Sequence, residues 1–470
     1  MALQLYNTLN REQETFKPLH GKKVGIYSCG PTVYAYPHIG NYRAYVFVDL
    51  LKRYFLYRGY KVKHIMNITD VDDKTIRDSC KEGISLKEFT GRYEKAFFED
   101  LKVLNIKPAD NYPRATDHIK EMVVIIKALL RKGFAYKGED GSIYYNIGKF
   151  KGYGKLANIN VSKLKAGASG RVTKDEYEKE DVQDFALWKA YDKADGDVFW
   201  KTEIGKGRPG WHIECSAMSM KYLGKTFDIH CGGVDLIFPH HQNEIAQSEG
   251  STGRQFVKYW LHNEWLLVNG QKMSKSLGNF YTLRDVLAKG FPAVAIRYLL
   301  LSTHYRQQLN FTFEGIEAAK AAVERLNELI RKLHDVHYSG KKSVMIKKEI
   351  SDAEAAFERA MDDDLNISVA LAAIFEFVKN MNHHIDNDTI DKKSAAAAIK
   401  FLEMADSVLG VMSFEKEEKL PASIMKLIEE REKLRKEKKF GEADKVRAKL
   451  KEQGIQLDDT AEGVRWKKEA

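Results

Sequence analysis

One stretch near the N-terminus constrains the fold more than any other part of the chain. Val24-Gly25-Ile26-Tyr27 reads as a short buried strand and Ser28-Cys29-Gly30-Pro31 as a turn. A helix is expected from about Gly40 to Tyr57, then a second strand from Lys61 to Ile68. Strand, turn, helix, strand is a βαβ unit, because parallel strands need a long crossover and a helix is the usual one. The expected class is therefore α/β, built on a doubly wound parallel sheet. Such sheets take ligands beyond the C-terminal ends of their strands, which places Cys29 and its neighbours where chemistry is expected.

The rest of the chain is too long for that sheet alone. With 470 residues, roughly three domains are expected. Asn111 to Asp197 looks like an insertion, with a helix from Ile119 to Lys132, a hairpin-like piece from Ser142 to Ile147 and a polar Gly/Lys-rich loop from Gly152 to Lys179. The sheet pattern resumes at Phe227-Asp228-Ile229-His230. Trp265 to Val268 followed by Asn269-Gly270 predicts a tight hairpin. From Thr312 the pattern is helical, with Val323, Leu326, Ile330 and Leu333 on one face. Asp362-Asp363-Asp364 precedes another apolar helix and suits its positive N-terminal end. Gly410 to Pro421 reads as a linker. Lys426 to Gln453 carries eleven Lys/Arg against seven Asp/Glu, the pattern of a charged helix or helix pair, with a short extension to Trp466.

The balance of charge narrows the partners. A net charge of +10 and a pI near 9.0 suit a polyanion such as RNA. The four cysteines, Cys29, Cys80, Cys215 and Cys231, are sparse and irregularly spaced, which fits a reducing compartment rather than a disulfide scaffold. The first residues lack a secretory apolar region, and no apolar run approaches the ~18–20 residues that span a membrane. The expected location is the cytoplasm, without a membrane partner.

Two short motifs point to nucleotide chemistry. His38-Ile39-Gly40-Asn41 lies between the first strand and its helix. A helix N-terminus gathers unpaired N–H groups and favours anions, and His38 and Asn41 add donors for phosphate oxygens. Gly40 has no side chain to keep a nucleotide from the backbone. Lys272-Met273-Ser274-Lys275-Ser276 follows the Asn-Gly hairpin. Two lysines on a loop can stabilise charge that develops at an α-phosphate. Either motif alone recurs by chance; the pair in this order does not.

The pair resembles the HIGH and KMSKS signatures of class I aminoacyl-tRNA synthetases, with Asn41 where the first has a second histidine. Four further segments resemble the cysteinyl enzymes of that class: Tyr27 to Tyr34, Asn67 to Lys74, Pro209 to Ser216 and Phe238 to Ser248. The resemblance implies a Rossmann-like catalytic domain over 1–265 with an insertion at about 111–200. It implies a KMSKS loop and stem-contact region at 266–311, a helical tRNA-binding bundle at 312–410 and an anticodon-binding region at 421–470. It implies ATP held by His38, Gly40, Asn41 and Lys275, with His38, Asn41, Lys272 and Lys275 in catalysis. It implies one Zn2+ bound by Cys29, Cys215, His240 and Glu244, and Mg2+ with ATP. Zinc chemistry supports that set independently, since Cys, His and carboxylate ligands in groups of three or four are its habit. His240 and Glu244, four apart, share one face of a helix.

The substrate side of the resemblance places Gly30, Thr69, Trp211, His230 and Asp235 around L-cysteine, with His230 and Trp211 over the side chain and Asp235 on the ammonium. Zinc would favour a thiolate over the hydroxyl of serine, so no editing domain is expected. For His212 and His241 a satisfied structural histidine is the favoured reading, with support of the ligands as the alternative; Cys80 reads as a small buried hydrophobe, and Cys231, beside the pocket, leaves open a fifth contact to metal or substrate. The closing Asp458 to Trp466 resembles the family's end, where Arg465 and Trp466 suit unstacked bases. The resemblance implies a tRNA(Cys) ligase acting as a monomer. Two other readings are a cysteine ligase of the mycothiol pathway, which lacks the basic end, and a non-catalytic RNA-binding paralogue, which would have lost His38 or a signature lysine.

Overall fold

The structure is a computed structural model that describes residues 2–159, 171–172, 184–274, 277–337, 344–414, 421–460 and 463–468. The chain divides into two compact units, Met1–Ser413 and Phe414–Ala470.

The centre of the first unit is a four-stranded parallel sheet. Strand β1 (Lys23–Ser28) leads to helix α1 (Ile39–Tyr57) and strand β2 (Lys61–Met66), which pairs with β1 in parallel. Helix α2 (Trp211–Leu223), strand β3 (Phe227–Gly233), helix α3 (Gln242–Thr252) and strand β4 (Val257–Asn263) complete it. The sheet order is β4-β3-β1-β2. β1 and β3 are neighbours whose continuations run to opposite sides, so their C-terminal ends open a crevice between them. Strands with little alternation, such as the nearly fully buried Phe-Asp-Ile-His-Cys-Gly-Gly of β3, are what a sheet covered on both faces requires. The predicted βαβ unit is present with boundaries within two residues.

The insertion, together with the residues that follow it as far as Pro209, forms a second, six-stranded sheet. Its strands include Ala135–Lys137, Ile143–Tyr145, Asp184–Ala190 and Gly205–Pro209. The expected helix is Ile119–Arg131, and its apolar side packs into the core that also holds Tyr27 and Trp260. Most of the Gly152 to Lys179 loop lies outside the described residues.

The hairpin expected after Trp265 is Leu266–Val268 paired with Gln271–Lys272. Asn269 and Gly270 both have positive φ, 49° and 75°, as this two-residue turn requires. Leu309–Phe311 pairs in parallel with Leu266–Val268, so the hairpin is tied to the chain beyond it. Four long helices follow: Phe313–His334, Val344–Asp362, Ile367–Asp386 and Lys392–Leu409. Val323, Leu326, Ile330 and Leu333 are all buried.

The aspartate triplet behaves differently from its expectation. Asp362 ends one helix, and its carboxylate accepts from the Tyr54 hydroxyl at 2.6 Å and pairs with Arg58. Asp364 accepts from Tyr6 N–H at 2.8 Å, from the Tyr305 hydroxyl at 2.6 Å and from Arg306 at 2.6 Å. The next helix is capped by Asn366 instead. Buried donors from distant segments outcompete a helix dipole, because an unpaired donor left in the interior costs more than the dipole contributes.

In the second unit, helices Ala422–Lys436 and Phe440–Glu452 and a hairpin of Ile455–Thr460 with Gly463–Lys468 enclose a small core of Ile428, Leu450, Ile455 and Leu457. The predicted helix pair is found. The extension that follows it is a strand pair.

Candidate metal centre and nucleotide cleft

Cys29 follows the last residue of β1, Cys215 lies on α2, and His240 and Glu244 flank the start of α3. The four side chains meet. One sulfur, nitrogen or oxygen atom from each lies within 4.8 Å of every other. His240 Nε2 is 3.4 Å from Cys215 Sγ and 3.1 Å from Glu244 Oε1. Glu244 Oε1 is buried, and for all the closeness of His240 it accepts no well-aligned hydrogen bond. A buried carboxylate oxygen without a donor needs a cation or bears its desolvation unrelieved. Burial pushes the Cys29 thiol up and the Cys215 thiol well up, each aggravated by the other groups' negative charge. At His240 burial works against protonation, yet Cys215 and Glu244 outweigh it and raise its pKa to about 10. Such a cluster of buried negative donors suits a positive centre. The donor set, two sulfurs, an imidazole nitrogen and a carboxylate oxygen, fits zinc.

Three of the four members are held from behind. His212 Nδ1 lies 3.0 Å from His240 Nδ1, and the Trp211 ring stacks on the His240 ring at 4.2 Å. His230 Nε2 is 3.0 Å from Glu244 Oε2. Burial alone would raise the Glu244 pKa, but His230 and His240 outweigh it and hold it below the usual range. His241 Nε2 is 3.3 Å from Cys29 Sγ, and its Nδ1 is 2.8 Å from His262 Nε2. His262 in turn meets the Thr8 hydroxyl at 2.8 Å. Burial drives His241 well down and His262 to about 3, so both are neutral rings that relay orientation rather than charge.

Above the quartet lies a cleft of about 700 Å3 lined by Cys29, Gly30, Trp211, Gly232, Asp235, His38, Gly40, Asn41, Trp265, Lys272 and Met273, among others. It therefore joins the quartet to both nucleotide motifs. His38 caps α1: its Nδ1 accepts from Asn41 N–H at 3.3 Å while Asn41 Oδ1 accepts from His38 N–H at 3.0 Å. That leaves His38 Nε2 and Asn41 Nδ2 as what these side chains offer the cleft. Burial lowers the His38 pKa to about 4, so its ring is neutral near pH 7. A side chain at Gly40 would approach Met273 Cε to 2.9 Å. The two motifs touch here, so Gly40 makes room for the second motif. His38 also bridges to Thr282, just past that motif. Lys272 Nζ stands 5.1 Å from the Trp265 ring centroid. Lys275 and Ser276 lie outside the described residues.

The predicted substrate residues divide. Gly30, Trp211 and Asp235 line the cleft. A side chain at Gly30 would fall 1.8 Å from the Asn67 carbonyl, so only glycine fits. Thr69 is buried and donates to Glu214 at 3.0 Å, and His230 is fully buried against Trp260. Strand alternation in β3 turns His230 toward the quartet, where it stands behind Glu244. The same alternation turns Cys231 to the opposite face; among the described residues the donor atoms gather in two overlapping groups, Cys29-Cys215-His240-Glu244 and Cys29-His230-His241-Glu244, and Cys231 is in neither. Cys80, expected buried, is exposed.

Two residues that hold this region together, His262 and Arg43, belong to no motif in the sequence. His262 sits on β4 opposite Gly232, and only the parallel register of β3 with β4 brings it to His241. The alternation of Trp260 and His262 is the one local signal it carries.

Comparison with known proteins agrees with this architecture. The sequence model for the class I (C) tRNA synthetase catalytic domain matches residues 15–321, and that for the DALR domain matches 356–413. The chain is 50% identical over 471 residues to a cysteine–tRNA ligase of Protochlamydia amoebophila, covering 100% of this chain and 98% of the relative. It is 51% identical over 470 residues to a cysteine–tRNA ligase of Brachyspira hyodysenteriae, covering 98% of each. Among solved structures it resembles methionyl-tRNA synthetase of Mycobacterium tuberculosis in complex with methionyl-adenylate, with a TM-score of 0.62 at 16% identity over 83% of this chain and 90% of the other. That likeness concerns the fold, and no helix among the described residues is long and apolar enough to cross a membrane. A parallel sheet with both nucleotide motifs at one cleft, a Cys-Cys-His-Glu quartet at its floor and full-length identity near half place this chain in the cysteine–tRNA ligase family of class I synthetases.

Proposed function

We propose that the chain activates L-cysteine with ATP and transfers it to the 3′-terminal adenosine of tRNA(Cys). The observation that carries this reading is one cleft with a sulfur-rich metal quartet at its floor and both nucleotide motifs on its wall. Cys29, Cys215, His240 and Glu244 would hold zinc, which when bound offers the substrate's sulfur a preferred partner and a hydroxyl a poor one. Asp235 at the cleft wall suits the substrate ammonium. Trp211, stacked on His240, fixes that ligand and closes one side of the pocket.

Adenylation needs the carboxylate of cysteine in line with the α-phosphate of ATP, accompanied by Mg2+. No protein nucleophile is required, so positioning and electrostatics carry the rate. The N-terminus of α1 with His38 and Asn41 receives phosphate oxygens, and Lys272 and Lys275 stabilise the charge that grows as pyrophosphate leaves. The 2′-hydroxyl of the terminal adenosine then attacks the adenylate carbonyl. The region 312–410 suits the tRNA stem and the region 421–470 the anticodon. A monomer working in the cytoplasm fits the chain.

ATP–pyrophosphate exchange with cysteine or serine, followed by charging of tRNA(Cys), tests the reading. Cysteine-dependent exchange and charging, with serine inert, is expected. Exchange without charging would reassign the acceptor to a smaller amine, and no exchange by folded, metal-loaded protein would overturn the reading.

A further inference from the structure

Arg43 lies on α1, two residues past Asn41, and is only 2% exposed. Its guanidinium donates to four backbone carbonyls. Nε reaches Glu264 O at 3.2 Å, Nη1 reaches Leu300 O at 3.2 Å, and Nη2 reaches His304 O at 3.2 Å and Gln307 O at 2.5 Å. Three of these carbonyls, those of Glu264, His304 and Gln307, come from the two flanks of one small sheet, and that of Leu300 from the helix Ala293–Ser302 before it. Glu264 lies two residues before the hairpin strand Leu266–Val268, whose partner ends in Lys272, and Gln307 lies two residues before the strand Leu309–Phe311 that pairs with that hairpin.

A helix would ordinarily commit a fully buried arginine to an ion pair. Arg297 shows the contrast: equally buried, it meets Asp49 at 2.6 Å and ties α1 to the helical region without touching the hairpin. Arg43 instead has its planar fork of donors matched to carbonyls on both sides of the hairpin's base, a geometry that the single ammonium of lysine cannot reproduce. We propose that Arg43 is a positioning residue for adenylation: it fixes the hairpin carrying Lys272 at a set distance from the His38 end of α1, so that both phosphate-handling groups meet one nucleotide. The inference rests on the function proposed above.

The test compares Arg43→Lys with Arg297→Lys in the full-length, zinc-loaded protein, well below the melting temperature of each, by ATP–pyrophosphate exchange per folded enzyme. Misplacing reacting groups by about 1 Å costs up to roughly a hundredfold in rate. Arg43→Lys is expected to lower kcat by roughly ten- to a hundredfold, with the KM for cysteine within about twofold and zinc content unchanged, whereas Arg297→Lys lowers stability but leaves kcat within about threefold. Should Arg43→Lys not fold, Gln307→Pro, which removes the Gln307 N–H bond to His304 O and loosens the turn offering two of the carbonyls, is expected to give the same split. Equal kcat losses in the Arg43 and Arg297 variants, or a normal kcat in either Arg43→Lys or Gln307→Pro, would overturn the proposal. Failure of the wild-type protein to exchange at all would instead count against the proposed function.

Discussion

On the floor of the cleft, each group that faces the quartet is itself held by another. His212 stands behind His240, His230 behind Glu244, and His262 behind His241, which meets Cys29. All of these are buried except Cys29, which forms part of the cleft surface. The nucleotide wall is built differently. Lys272 sits on an exposed two-residue strand, Trp265 beside it is 41% exposed, and the turn that follows is held by Asn279, which accepts from Ser274 N–H at 2.8 Å and donates to Lys272 O at 3.2 Å. The floor's side chains are tied to one another within the chain, which suits selection of one thiol from many small amino acids. The wall offers groups that reach full effect only around ATP, where charge develops during reaction. The densest network of buried contacts therefore lies where discrimination is made.

Substitutions on the two sides should separate cleanly. The largest effect belongs to the floor. Cys215→Ser removes one of two sulfurs, and zinc content by elemental analysis and cysteine affinity should fall together, with exchange reduced by on the order of 10²- to 10³-fold or more. Retention of stoichiometric zinc would remove Cys215 from the ligand set. Next, Lys272→Ala should cost roughly 10²- to 10³-fold in the exchange kcat while zinc content and cysteine affinity stay near wild type. A parallel loss of cysteine binding would mean that the wall and floor are not independent. His262→Gln should weaken zinc affinity about 10- to 100-fold in a chelator competition, since it acts only through His241 on Cys29. The smallest effect is expected at Cys231→Ala: about 1 kcal/mol of stability in denaturant unfolding and unchanged zinc, because this thiol faces away from the quartet.

The same contrast explains what can be read from the sequence. The βαβ unit and the hairpin at Asn269-Gly270 are legible because each has a local signature, periodicity or turn chemistry; the quartet as a set is what the family resemblance implies, with only His240 and Glu244 marked by their spacing of four. His230 carries no sign that it stands behind Glu244, and His262 carries none that it meets His241. Both facts depend on strand direction and register across β3 and β4, which are properties of pairing rather than of any segment. Asp364 departs from its expected capping role for a related reason, since its partners Tyr6 and Tyr305 are distant in sequence. Arg43 is silent because its partners are backbone carbonyls, which have no residue type to recognise.

The central claim is that the floor selects cysteine through its sulfur. X-ray absorption at the zinc edge measures this most directly, by counting sulfur neighbours of the metal in the free protein and after adding cysteine or serine. The account predicts two sulfurs in the free protein, from Cys29 and Cys215, three with cysteine and two with serine. A count that stays at two with saturating cysteine would contradict it.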